Sequence, residues 1–272
     1  MDKTTTEKSF KTILVAFDWY DHRIYRGIAQ YCTENNWHLS PYCFSDRQLP
    51  DNWPGDGAIT CFGDSLSDFI LNLDMPKVDI TLRDIPQDIP RVVVDNDQIG
   101  RKAARCFLRR GYKEFAYFSW DSVMVNKIRK DSFFGMLKDE GIPEEQMHLI
   151  HQPDPSVLRD WEKHTECIVE QIKKLPRPLA VFTGQDNLGV TLIEACMKSG
   201  IAVPDEVAVV GVDNIEFLCE CARVPLSSVD THLTDLGYAA AEQLGRLMAG
   251  EIDNKEPVRT VPCGDVIGRR ST

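Results

Sequence analysis

Residues 179–212, LAVFTGQDNLGVTLIEACMKSGIAVPDEVAVVGV, contain two short apolar runs on either side of a helical pattern. Leu179–Thr183 is the first run and Val207–Val212 the second. Between them, residues 187–199 carry apolar side chains at helical spacing and stop at Gly200, a residue that closes helices without strain. Val207–Val212 shows no apolar-polar alternation, so it reads as a strand covered on both faces, which is the habit of parallel sheets. A strand, a helix and a buried strand in that order imply a right-handed crossover within one sheet.

The same alternation extends in both directions. Residues 11–17 (KTILVAF) read as a strand, followed by a polar turn over 18–21 and a helical pattern through Ile24, Ile28, Ala29 and Cys32. Residues 57–62 read as a strand before a helix over 67–73, and 76–81 and 90–94 as short strands whose starts are marked by proline. A helix over 97–110 is closed by Gly111, a strand follows over 115–119, and a helix over 129–140 ends at Gly141 with Pro143 beyond it. Further helices are expected over 161–175 and 235–249, the second closed by Gly250. The fold class is α/β with doubly wound parallel sheets, and 272 residues suffice for one large lobe or two paired ones.

Composition excludes several functions. Thirty-one Lys and Arg stand against 42 Asp and Glu, a net charge of −11, and a chain this acidic is repelled by DNA and by anionic membranes. No apolar run is long enough to span a bilayer, and the polar N-terminus lacks the apolar centre of a signal peptide, so a cytoplasmic location is expected. The nine cysteines are scattered, with no paired spacing and no histidine cluster, which reads as reduced structural thiols and no metal. No glycine-rich phosphate or dinucleotide loop, hydrolase elbow or zinc-protease helix occurs, so neither a cofactor nor an enzyme activity is expected.

Parallel α/β sheets bind ligands at the carboxyl ends of their strands. The residues just beyond those ends are Asp18, Tyr20, Asp21 and Arg23, then Trp120 and Asp121, then Gln185 and Asp186, and finally Asp213 and Asn214. Carboxylates accept from vicinal hydroxyls, arginine donates in a fork, and an aromatic face covers the C–H side of a sugar ring. That residue set suits a polyol.

Four motifs occur in an order and spacing that resemble the effector-binding core of the lactose- and galactose-repressor family: RKDSF at 129–133, VFTGQDN at 181–187, PDEVAVVGVDN at 204–214 and PLSSV at 225–229. The resemblance runs from Lys11 to Thr272. WYDHRIYRGIAQY at 19–31, DIPRVVVDNDQIGRKAARCFLRRGYKEFAYFS at 88–119 and IGRRST at 267–272 narrow it to the xylose-operon-regulator subgroup. It implies a two-lobed fold like that of type I periplasmic sugar-binding proteins, with 10–94 and 232–250 in one lobe, 95–231 and 251–272 in the other, and crossings near Val94, Thr231 and Gly250. It also implies a monosaccharide effector bound between the lobes, a homodimer, and DNA contact made only by an arabinose-regulator-type helix-turn-helix domain following Thr272. Met1 then reads as a genuine start, and Thr272 as the place where that domain would begin.

The resemblance assigns ligand contact to Arg129, to Asp213 and, with glutamine in place of the usual asparagine, to Gln185. Asp186 matches the family's acid, although a carboxylate there also suits a helix cap, and Asp213 carries the same ambiguity. Tyr20 and Asp21 belong to the loop expected to line the crevice from the first lobe. Trp161 corresponds to a stacking tryptophan, or else packs at its helix start.

Overall fold

The opening apolar run forms β1 (Lys11–Ala16), and the chain then turns into α1 (His22–Glu34), capped by the Asp21 carboxylate accepting the Arg23 N–H. The structure, a computed structural model, describes residues 10–40, 53–120, 124–154 and 156–272. Asp121, Cys43 and most of the polar N-terminus lie outside the described residues. After α1 come β2 (Trp37–Ser40), β3 (Gly57–Thr60), α2 (Ser67–Leu71), β4 (Lys77–Asp79) and β5 (Val92–Val94). α3 (Asn96–Arg109), β6 (Glu114–Phe118), α4 (Met124–Asp139), β7 (Met147–Ile150), α5 (Trp161–Ile172) and β8 (Leu179–Thr183) follow. The chain continues through α6 (Asp186–Lys198), β9 (Val207–Val212), α7 (Glu216–Cys221), β10 (Ser227–Val229), α8 (Leu233–Met248), β11 (Arg259–Val261) and β12 (Val266–Ile267).

These elements divide into two units, one of residues up to Val94 with Leu233–Val261, the other of Asp95–His232 with Pro262–Thr272. The last boundary therefore falls between Val261 and Pro262 and not near Gly250. The reason is β11, which pairs in parallel with β5 and keeps residues 251–261 in the first unit.

In the first unit β2, β1, β3 and β4 form, in that order, a parallel sheet. Alternation along β1 sends Ile13 and Val15 to one face, with Ile24, Ile28, Leu236 and Leu244, and Leu14 and Ala16 to the other, with Leu66 and Ile70. The helices α1 and α8 meet on facing glycines. A Cβ on Gly27 would lie 1.9 Å from the Thr234 carbonyl oxygen, and one on Gly237 2.1 Å from that of Ile24.

In the second unit the order is β12-β10-β9-β8-β6-β7, parallel throughout except for β12, which runs against β10. Every residue of β8 and β9 is buried, as the absence of alternation in VAVVGV requires. α4 begins at Met124, earlier than the apolar pattern indicates, so Arg129 sits inside the helix and not at its start. Among the described residues no helix is long and apolar enough to cross a membrane.

Candidate functional site

The carboxyl ends of β6, β8 and β9 open the second unit's sheet, and there the structure gathers polar groups that an apolar core would not hold. Arg129 is only 6% exposed. Its Nε donates to Asn96 Oδ1 at 2.8 Å and one terminal nitrogen to the Gly184 carbonyl at 2.7 Å, both neutral acceptors. No carboxylate pairs with it among the described residues. Gly100 makes this depth possible: a Cβ there would stand 2.3 Å from the Arg129 carbonyl oxygen and 2.1 Å from Ser132 Oγ, so α3 approaches α4 only because position 100 has no side chain.

Two more buried polar atoms share this corner. Ser119 Oγ, packed against Gly184, and Asn126 Oδ1 have no hydrogen-bond partner among the described residues. Such orphaned atoms are costly in a core and ordinary where a polar ligand completes them. Sequence reading did not single out Asn96, Ser119 or Asn126. Ser119 follows β6 directly and so obeys the rule that pointed to Gln185 and Asp213, whereas Asn96 is the first residue of α3.

Gln185 caps α6 with extended backbone, and its side-chain amide makes no capping bond. Asp213 lies just past β9 with φ 99°, and Asn214 follows with φ 49°, two consecutive left-handed residues in a turn beside the sheet's open end. Asp186 stands apart from this group. Its carboxylate is fully buried, with Oδ1 accepting from Ser228 Oγ at 2.6 Å, and Oδ2 from the Ile215 N–H at 2.7 Å and the Cys219 thiol at 3.4 Å. It therefore holds the turn that carries Asp213, and its oxygens are turned into the protein.

Trp161 is not brought to this corner. Its ring lies under Lys198 Nζ at 4.7 Å, and Lys198 is the last residue of α6, about 18 Å along that helix from Asp186. In the first unit Tyr20 is 60% exposed, with its ring 5.0 Å from that of Tyr25. Asp21 is engaged locally: it caps α1 and pairs with Arg23 at 2.7 Å. Burial raises the Asp21 pKa, but the Arg23 bonds outweigh it and hold the group below the usual carboxylate range.

A model of the periplasmic binding protein-like domain matches residues 104–272. The chain belongs to that family. This periplasmic binding protein-like domain is 25% identical, over 98% of its length, to the xylose operon regulatory protein of Haemophilus influenzae, of which it covers 71%. It is 24% identical, over 93% of its length, to the protein of that name from Escherichia coli, of which it covers 66%. The chain thus spans about two thirds of those relatives. A solved structure titled as a xylose-binding transcription activator superposes with a TM-score of 0.77 at 20% identity, over 97% of this chain and 70% of the other. The domain is of the effector-binding-core type found in lactose-repressor-like and xylose-operon regulators.

The buried acid of the domain has a measurable signature. Burial first, and then the neighbouring Asp213 charge, push Asp186 up from 3.8 to about 7, against the hydrogen bonds from Ser228, Ile215 and Cys219 that lower it. A raised folded-state value means that the folded domain retains a proton which the unfolded chain releases, so stability falls as pH rises through that window and levels off above it. The slope has an upper bound of about 1.4 kcal/mol per pH unit. Denaturant unfolding at about pH 5 and about pH 8 should show the wild type losing more stability than Asp186→Asn between the two. Equal losses in both proteins would place the titration elsewhere.

Proposed function

We propose that this domain senses a monosaccharide, xylose or a related pentose, and controls DNA binding exerted by another part of the whole protein. The observation that carries the reading is Arg129, a buried guanidinium held by two neutral oxygens and paired with no acid among the described residues. A cation so placed needs an oxygen-rich ligand to complete it, and the names of the relatives supply the class. Arg129, Gln185 and Asp213 make the contacts from the second unit, Tyr20 and Asp21 those from the first. Asp186 acts through the Asp213 turn.

A sugar that contacts both sets favours whatever arrangement of the units satisfies both, and shifts their equilibrium by its differential affinity. The net charge of −11 supports DNA contact made by another, basic part of the whole protein, and the reading takes that protein as a cytoplasmic homodimer that leaves the sugar chemically unchanged. A thermal-shift screen of pentoses, hexoses and their phosphates tests this. At about a hundred times its Kd a true effector adds roughly 2.7 kcal/mol, which raises the unfolding temperature by several degrees. A selective rise with one neutral pentose is the expected result. Preference for a sugar phosphate, no rise with any sugar, or product formed on incubation would overturn the reading.

A further inference from the structure

The turn at Asp213 and Asn214 holds two left-handed residues in succession, a conformation that persists only where its surroundings impose it. Three backbone bonds fasten it: Asp213 N–H to the Val229 carbonyl at 3.1 Å, Asn214 N–H to Ser228 Oγ at 3.0 Å, and Ile215 N–H to Asp186 Oδ2 at 2.7 Å. A fourth comes from the far end of the sequence. Arg269 donates from one terminal nitrogen to Asn214 Oδ1 at 2.9 Å and from the other to the Leu226 carbonyl at 3.0 Å, with Glu220 Oε1 at 3.6 Å from the first.

The backbone bearing Arg269 is itself anchored to the sheet. Arg269 N–H donates to Ser227 Oγ at 2.8 Å, Ser271 Oγ to the Val209 carbonyl at 2.6 Å, and Val209 N–H to the Ser271 carbonyl at 2.8 Å. The guanidinium side chain is only 13% exposed, so its fork is shielded from water and from competing ions. Residues 269–271 thus form a strap across β9 and β10, and the Arg269 side chain ends on the residue after Asp213.

We propose that Arg269 is a positioning residue of the effector site, through which the C-terminal strap sets sugar affinity by fixing the Asp213 turn. The proposal rests on the reading of Asp213 as an effector contact. Because coupling between two sites is reciprocal, sugar binding also tightens the strap, and displacement of the strap weakens sugar binding. A residue outside every ligand-contact motif thereby links the site to residues 262–272, the last stretch of the second unit.

Three variants test it: Arg269→Met, which keeps the side chain's length and loses its fork; Arg269→Lys, which keeps the charge; and Asn214→Gly, which keeps the left-handed backbone and loses the acceptor. Amide hydrogen exchange in the sugar-free protein provides a readout that needs no ligand. Arg269→Met should speed exchange at Asn214 and Ile215 about tenfold or more and leave β6 and β8 unchanged, the pattern of local and not global opening. Calorimetric titration with xylose should show affinity about tenfold weaker in Arg269→Met and in Asn214→Gly, with little further loss in the double variant, because both remove one interaction. Arg269→Lys should recover part of the loss, since an ammonium reaches one acceptor where the fork reaches two.

Unchanged exchange at Asn214 and Ile215 overturns the positioning role, whether or not any sugar binds. Faster exchange with unchanged xylose affinity overturns the link to the effector, as does full additivity in the double variant. A wild-type protein that binds no sugar overturns the proposed function alone and leaves the exchange result to decide the role of the strap.

Discussion

Arg129→Ala should lose sugar binding altogether on a calorimetric scale, a fall of at least about a hundredfold, since each charge-assisted hydrogen bond is worth roughly 1.5–3 kcal/mol and a fork makes two. The guanidinium already spends two of its N–H groups on Asn96 Oδ1 and the Gly184 carbonyl, which fix its plane, and what remains is held ready for a ligand. Preorganisation of this kind means that the sugar does not have to order a long flexible side chain on arrival. The substitution also takes a buried donor away from each of those two oxygens, a destabilisation of about 1–3 kcal/mol. That is a fraction of a domain's stability, so the variant should remain folded by circular dichroism at room temperature. Arg129→Lys separates the two effects: an ammonium keeps the charge in place but cannot span both acceptors and a ligand, and affinity should stay at least about tenfold down. Wild-type affinity in either variant would remove Arg129 from the site.

How much of this was legible depended on where the determining contacts lie along the chain. Val207–Val212 and Leu179–Thr183 announced themselves because burial on both faces leaves a local mark, an unbroken apolar run. Ser227–Val229 left none. It is a buried strand of two serines and a valine, and its polar residues are tolerated because Ser228 donates to Asp186 and Ser227 bonds both Arg269 in the strap and Thr272 just beyond it. Those partners are distant in sequence, so no window around the strand could reveal them. β2 and β12 are also short and take their strand character from the neighbours they pair with.

The site divided in the same way. Gln185 and Asp213 were read as candidates because a parallel sheet gathers its post-strand residues at one end, a consequence of topology that can be read in one dimension, whereas Arg129, inside α4, was assigned only by the resemblance carried by RKDSF. Asp186 obeys the same rule and yet faces inward, since the direction of its carboxylate is set by Ser228, Ile215 and Cys219, each on a different segment. Trp161 was assigned by its correspondence to a stacking tryptophan of the family, and in the structure its exposed ring lies under Lys198. A helix start specifies which residue begins the helix, not which neighbour its side chain meets.

Gly211 carries the largest expected effect on stability, and it was in plain view as the single glycine of VAVVGV. A Cβ at that position would lie 2.3 Å from Asp186 Oδ1 and 3.0 Å from Leu226 Cδ2. The missing side chain is what lets a buried carboxylate settle against β9 and reach both Ser228 and the Ile215 amide. Gly211→Ala should therefore expel that carboxylate, unfasten the Asp213 turn and cost about 3 kcal/mol or more, combining overpacking with a broken buried network. Sugar affinity should fall with it, even though residue 211 touches no ligand. The double variant Gly211→Ala with Asp186→Ala decides the mechanism, because removing the carboxylate makes room for the methyl group. Its destabilisation should be clearly smaller than the sum of the two single effects, by about 1 kcal/mol or more, the mark of residues in direct contact. Simple additivity would mean that the alanine methyl clashes elsewhere in β9, and that the close approach of Asp186 is not why this strand needs a glycine.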